Sequence, residues 1–156
     1  MAFDSSTSPS WGLVFVRIAC GVILMQAGWY KVSGGISDEL VLGTRASFEH
    51  APDIVRAFGQ SIVLPHPTLF AHMIAWGELL GGLALFLGAL TRPAGYAAAF
   101  MFANFWFAGP EQAKTLVALM SVACFGCAVS RAGRNCGMDV FLDDRLPAWM
   151  TWTRVP

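Results

Sequence analysis

Four apolar blocks decide what this chain can fold into. They run from about Trp11 to Val32, Thr68 to Leu90, Pro93 to Ala108 and Ala113 to Val129. Each approaches the roughly 20 residues that a helix needs to cross about 30 Å of hydrocarbon. A large soluble core also raises the apolar fraction, but it does not gather apolar residues into blocks of this length. The composition agrees, with 56% of the 156 residues hydrophobic and 13% charged, outside the range of soluble domains. Ten basic residues balance ten acidic ones, which argues against a nucleic-acid surface or an acidic partner.

The expected fold is an all-α integral membrane bundle of four transmembrane helices, forming one domain over residues 1–156. Its spans are about 11–32, 68–90, 93–108 and 113–129, with an outer loop over 33–67. Pro93 suits the first turn of the third helix, and Gly109-Pro110 marks the turn into the fourth. The first ten residues carry no basic group and include Asp4, so the first block is expected to be a retained helix rather than a cleaved signal.

With four spans, both termini share one side. Arg92, Arg131, Arg134, Arg145 and Arg154 fall on that side, against Lys31, Arg45, Arg56 and Lys114 on the other. The excess favours cytoplasmic termini in an inner cell membrane. The long first connection should carry structure of its own. In it Phe48, Ala51, Val55, Phe58 and Ile62 recur at helical spacing, while Glu49, Asp53, Arg56 and Gln60 fall elsewhere, an amphipathic segment that either lies on the bundle as a lid or docks a partner or gates a substrate.

The polar residues inside the spans carry the functional question, because an ionised side chain in hydrocarbon is penalised. At about 1.5 Å per residue, Arg17 lies roughly 9 Å from the cytoplasmic side, Glu78 about 20 Å and Lys31 about 30 Å. Every Cβ leans toward its own helix N-terminus. Lys31 therefore leans back into the membrane, and Glu78, on a descending helix, leans outward toward it. These two are expected to pair. Arg17 leans to the cytoplasmic surface, where Asp139 is its expected partner. Arg17, Gly21, Leu24, Gly28 and Lys31 share one stripe of the first helix, and Gly77 and Gly81, continued by Ala84 and Gly88, are the expected close-packing face of the second. Gln26 falls opposite Arg17, facing another helix or a partner subunit. Lys31, His72 and Glu78 together outline an outer-half pocket and are the candidate catalytic residues, although lone polar groups in bundles more often serve as interhelical hydrogen bonders. Three histidines without H-x-x-H spacing offer no metal site. Cys124 and Cys127 form a C-x-x-C, read either as small core residues or as a redox pair.

Three stretches resemble one family of small four-helix membrane proteins: "VRIACGVILMQAGWYKV", "GELLGGLALFLGALTRPAG" and "RAGRNCGMDVFL". The chain is similar to the DoxX family through its E-x-x-x-G…L-G-x-x-T-R pattern, an arginine in the first helix and a late G-x-D. Arg17, Lys31, Glu78, Arg92 and Asp139 sit in the matching segments. The family is named for a subunit of a thiosulfate:quinone oxidoreductase, and other members associate with redox-stress or thiol-handling proteins. The resemblance thus implies an integral membrane subunit of a quinone-linked redox system oxidising a small sulfur compound. Its cofactor would be a quinone, walled by aromatics such as Trp29, Trp76, Trp106, Phe102 and Phe105; the alternative is that these are ordinary interface and core aromatics. Arg17, Asp139 and Arg92 would be structural ion-pair residues. Two further readings stand beside it: a non-catalytic anchor or assembly subunit of a larger membrane complex, and a membrane thiol–disulfide oxidoreductase using Cys124 and Cys127. The expected partners are the lipid bilayer and either other membrane or peripheral subunits or further copies of the chain.

Overall fold

The computed structural model describes residues 11–34, 48, 51–109, 111–130, 133, 136–142, 146–147 and 150. The expectations placed on Arg45, Glu49, Arg131, Arg134, Arg145 and Arg154 lie outside the described residues.

Among the described residues every regular element is helical. The elements are α1 (Trp11–Ser33), α2 (Asp53–Phe58) running into a π turn (Gly59–Val63), α3 (Pro67–Leu87), α4 (Thr91–Ala108), α5 (Glu111–Val129) and a short α6 (Asp139–Leu142). Three of the long helices, α1, α3 and α5, are long and apolar enough to cross a membrane. The third expected span, α4, also has 18 residues, but Arg92, Pro93 and Asn104 dilute its apolar character and it does not reach that standard.

Two closely packed pairs build the bundle, α1 with α3 and α4 with α5. Backbone approach explains the first. A Cβ on Gly21 would stand 2.6 Å from the Phe86 nitrogen, and one on Gly82 2.5 Å from the Met25 nitrogen. Only glycine permits such contact, so the first two helices touch backbone to backbone. Gly77 and Gly81 do not take part, because a Cβ on either meets nothing within 4 Å. The packing face of α3 is Ala71, Ala75, Glu78, Gly82 and Leu85, all buried, and Gly77 lies about 100° around the helix from Glu78. In the second pair Ser121 Oγ donates to the Ala99 carbonyl at 2.9 Å, and the Tyr96 and Phe125 rings meet edge to face at 5.8 Å. Leu24, Leu85, Ala98, Met120 and the thiols of Cys20, Cys124 and Cys127 fill the core between the pairs.

Helix ends differ from the sequence reading at one corner. The second and third helices were expected to meet around Leu90-Pro93, yet α3 stops at Leu87 and α4 starts at Thr91. Gly88 (φ 66°) and Leu90 (φ 53°) both take the left-handed conformation, which turns the chain sharply. In the first connection the buried face is also rotated from expectation. Ala51, Gly59 and Val63 are buried, with the Phe48 ring against Gly59, whereas Phe58 and Ile62 are half exposed and Ile54 is 85% exposed. The wider π turn at Gly59–Val63 shifts the register of the inward side chains.

Candidate functional site

α1 and α3 run antiparallel, so the C-terminal end of α1 lies beside the first half of α3. The glycine contacts then set Lys31 against Glu78. Lys31 Nζ donates to both carboxylate oxygens of Glu78, at 2.5 and 2.6 Å. The Glu78 side chain is 4% exposed and that of Lys31 25%. The pair is therefore a carboxylate buried between helices beside an ammonium that is partly open. Phe105 of α4 completes the surroundings, with its ring centre 5.9 Å from Lys31 Nζ, a cation–π distance. Phe102 stacks edge-on to Phe105 at 6.2 Å. Chemically this is a buried ion pair bordered by two aromatic rings set nearly perpendicular to each other, and ionisable groups at such depth mark a candidate functional site.

His72 does not join it. Six residues from Glu78, it points about 120° away around α3; it is exposed, with Nδ1 2.8 Å from the Thr68 carbonyl on its own helix. Trp29 and Trp76 face outward from the bundle and line no enclosed site with the pair. Trp106 stands edge-on to Phe107 at 4.9 Å and carries Lys114 Nζ 5.9 Å from its ring centre. It lines an open cleft of about 590 Å³ with Asp53, Arg56, Phe107 and Lys114.

A second polar centre sits at the opposite end of the bundle. Arg17 is 1% exposed, and its Nη2 donates to the Cys136 carbonyl at 3.1 Å. The Asp139 carboxylate accepts from the backbone N–H of Leu90 at 2.6 Å and of Thr91 at 3.1 Å. In return the N–H groups of Met138 and Asp139 donate to the Leu87 and Gly88 carbonyls, at 3.1 and 2.8 Å. The tail thus closes the α3–α4 corner from both sides. It satisfies the last carbonyls of α3 and caps the first N–H groups of α4, whose own N-cap position is a leucine with no capping side chain. A negative charge there also opposes the partly buried Arg92 in the first turn of α4, which on its own is unfavourable at a helix N-terminus. The Asp139 carboxylate bonds the Leu90 and Thr91 N–H groups and the Arg17 guanidinium bonds the Cys136 carbonyl, while the two charges lie close enough to attract each other. Arg17 holds the tail by its Cys136 carbonyl, and Asp139 pins the same tail to the backbone of the α3–α4 corner.

That geometry sets a test. Charge-assisted bonds in such sites contribute on the order of 1.5–3 kcal/mol. Arg17→Ala and Asp139→Ala should each lower thermal stability in detergent by about that amount, and the double variant should be little worse than either, since each releases the same tail. Additive losses would show two independent contacts.

Cys124 and Cys127 are buried near the end of α5, and Cys20 of α1 joins them in the core. The sequence pattern could not reveal the third thiol, which arrives from another helix. Cys136 is exposed, in a left-handed conformation (φ 59°).

A family model described as DoxX matches residues 12–111. The chain belongs to the DoxX family. The matched region takes in Arg17, Lys31, Glu78, Arg92 and Phe105, so the whole ion pair lies within the DoxX part of the chain. The C-x-x-C and the Asp139 cap lie beyond it. No curated protein and no solved structure matches the chain. As a DoxX protein with three helices fit to span a membrane among the described residues, it is membrane-embedded and in contact with lipid.

Proposed function

We propose that this DoxX protein is an integral subunit of a quinone-linked redox system in the inner membrane, with Lys31 and Glu78 as its proton-handling centre. The observation that carries the reading is the ion pair itself. A carboxylate buried between membrane helices is costly to keep, and this one is held beside a partly exposed ammonium with two aromatic rings nearby. Quinone reduction takes up protons as well as electrons, which is the chemistry such a couple serves. In this reading the Phe105 ring, with Phe102 edge-on to it, offers one flat face for a quinone ring, the reductant is a small sulfur compound handled with partner subunits, and α4 is the third of four spans. At about 27 Å it reaches nearly across the hydrocarbon while packed along α5. Both termini are then cytoplasmic, and single cysteines at Ser37 and Thr153 should label from opposite sides. Labelling from one side sinks the four-span topology.

The functional test is purification in mild detergent, followed by extraction of quinone and identification of associated subunits. Quinone bound to this chain is the expected result. A large partner in fixed proportion with no quinone on this chain would favour a non-catalytic assembly role and overturn the proposal.

A further inference from the structure

The face of α1 turned away from α3 repeats every seven residues. Gly12, Ala19, Gln26 and Ser33 are spaced by seven, and Phe15, Val22 and Trp29 follow the first three of them by three. All are exposed except Ala19, which is half-buried; Phe15 is 74% exposed and Trp29 63%. Gln26 stands about 200° around the helix from Leu24 and from Gly28, the residues that dock on α3. It is seven residues from the end of α1, roughly 10 Å inside it, and so within the hydrocarbon. Among the described residues its amide has no hydrogen-bond partner, and lipid chains can supply none.

We propose that α1 carries a homodimer interface, in which two copies pack α1 against α1 and the two Gln26 side chains hydrogen-bond to each other. Three features select a second copy as the occupant. A carboxamide is both donor and acceptor, so it complements its own image across a two-fold axis without help from another protein. Copies inserted by one route share one orientation, so a two-fold axis along the membrane normal brings residues of equal depth together, Gln26 to Gln26. The seven-residue repeat is the seam of a left-handed helix pair. Its small members let the backbones approach, and its large members fill the space between them. The proposal does not depend on the redox reading, because nothing on this face touches Lys31 or Glu78.

The experiment uses the full chain in lipid nanodiscs or mild detergent. Mass in solution is measured by light scattering, and Gln26→Cys is oxidatively cross-linked in a Cys136→Ser background. The expected results are a dimer and a self-cross-link at position 26. Gln26→Leu should weaken dimerisation by about ten-fold, and Ala19→Phe should abolish it. Gln26→Leu should keep the thermal stability of the monomer, since the Gln26 side chain is exposed. A monomer at all concentrations overturns the proposal. So does a dimer that survives Gln26→Leu and Ala19→Phe together, or one that cross-links through α3 or α5 instead of α1.

Discussion

Lys31→Met is expected to destabilise the folded protein by about 3–5 kcal/mol, the loss typical of stripping one partner from a buried ion pair. The loss should exceed that of Glu78→Leu. The asymmetry follows from exposure. Without Lys31, Glu78 must hold an unpaired charge or take up a proton in a site only 4% open, with no other cation bonded to it among the described residues. Without Glu78, Lys31 is still 25% open, lies at the end of α1 and rests near the Phe105 ring, so its flexible chain can turn to the membrane surface. The double variant Lys31→Met with Glu78→Leu should recover much of the loss, because replacing both members by apolar groups removes the desolvation problem. Unfolding by SDS titration of the four proteins checks this. A Lys31→Met protein within about 0.5 kcal/mol of the parent, or a double variant worse than both singles, would show that the pair does not hold α1 to α3.

The second large effect belongs to a glycine. A Cβ on Gly28 would stand 2.8 Å from the Leu79 Cα and 2.9 Å from the Ala75 carbonyl oxygen. These are backbone atoms of a helix, with no flexible end to yield, so the helices must part. Gly28→Ala is therefore expected to cost at least the 1–3 kcal/mol usual for overpacking, and to draw Lys31 away from Glu78 one turn further on. Gly77→Ala should do the reverse. Open space surrounds that position, and alanine in a helix interior gains about 0.5–1 kcal/mol over glycine. Melting both variants in the same detergent decides it. Equal losses would contradict the packing face described for α3.

This contrast shows what the sequence could and could not convey. Helix direction and the lean of Cβ atoms were enough to set Lys31 against Glu78, since charge in an apolar block has few partners. The docking stripe of α1 was legible for a related reason, because Arg17 is costly in lipid and Gly21 and Gly28, on its stripe, let another backbone approach. In α3 the spacing of Gly77 and Gly81 was as good a motif as the true contact at Gly82. Only the rotation of the helix, fixed by burying Glu78, separates them. Asp139 was placed at the correct end beside Arg17, but its hydrogen bonds to the α3–α4 corner were not foreseen. The missing signal lay in "ALTRP", a helix start without a capping side chain, which calls for a cap from elsewhere. His72 was grouped with the pair by depth, but depth says nothing of direction around the helix. The meeting of Cys20 with Cys124 and Cys127, like the rotated face of α2, depends on packing between distant segments that no local pattern encodes.

The central claim is that Glu78 handles protons rather than merely pinning two helices. Glu78→Gln tests it most directly, since it keeps the side-chain shape while removing the charge and the titration. The measurement is quinone reduction by the assembled membrane system, alongside quinone content and melting temperature of the same preparation. The account predicts a folded variant that retains quinone and loses turnover by about 10²–10⁴-fold, the range of general acid–base contributions. Turnover close to that of the parent in a folded, quinone-bearing variant would contradict it and leave Glu78 as a structural pin.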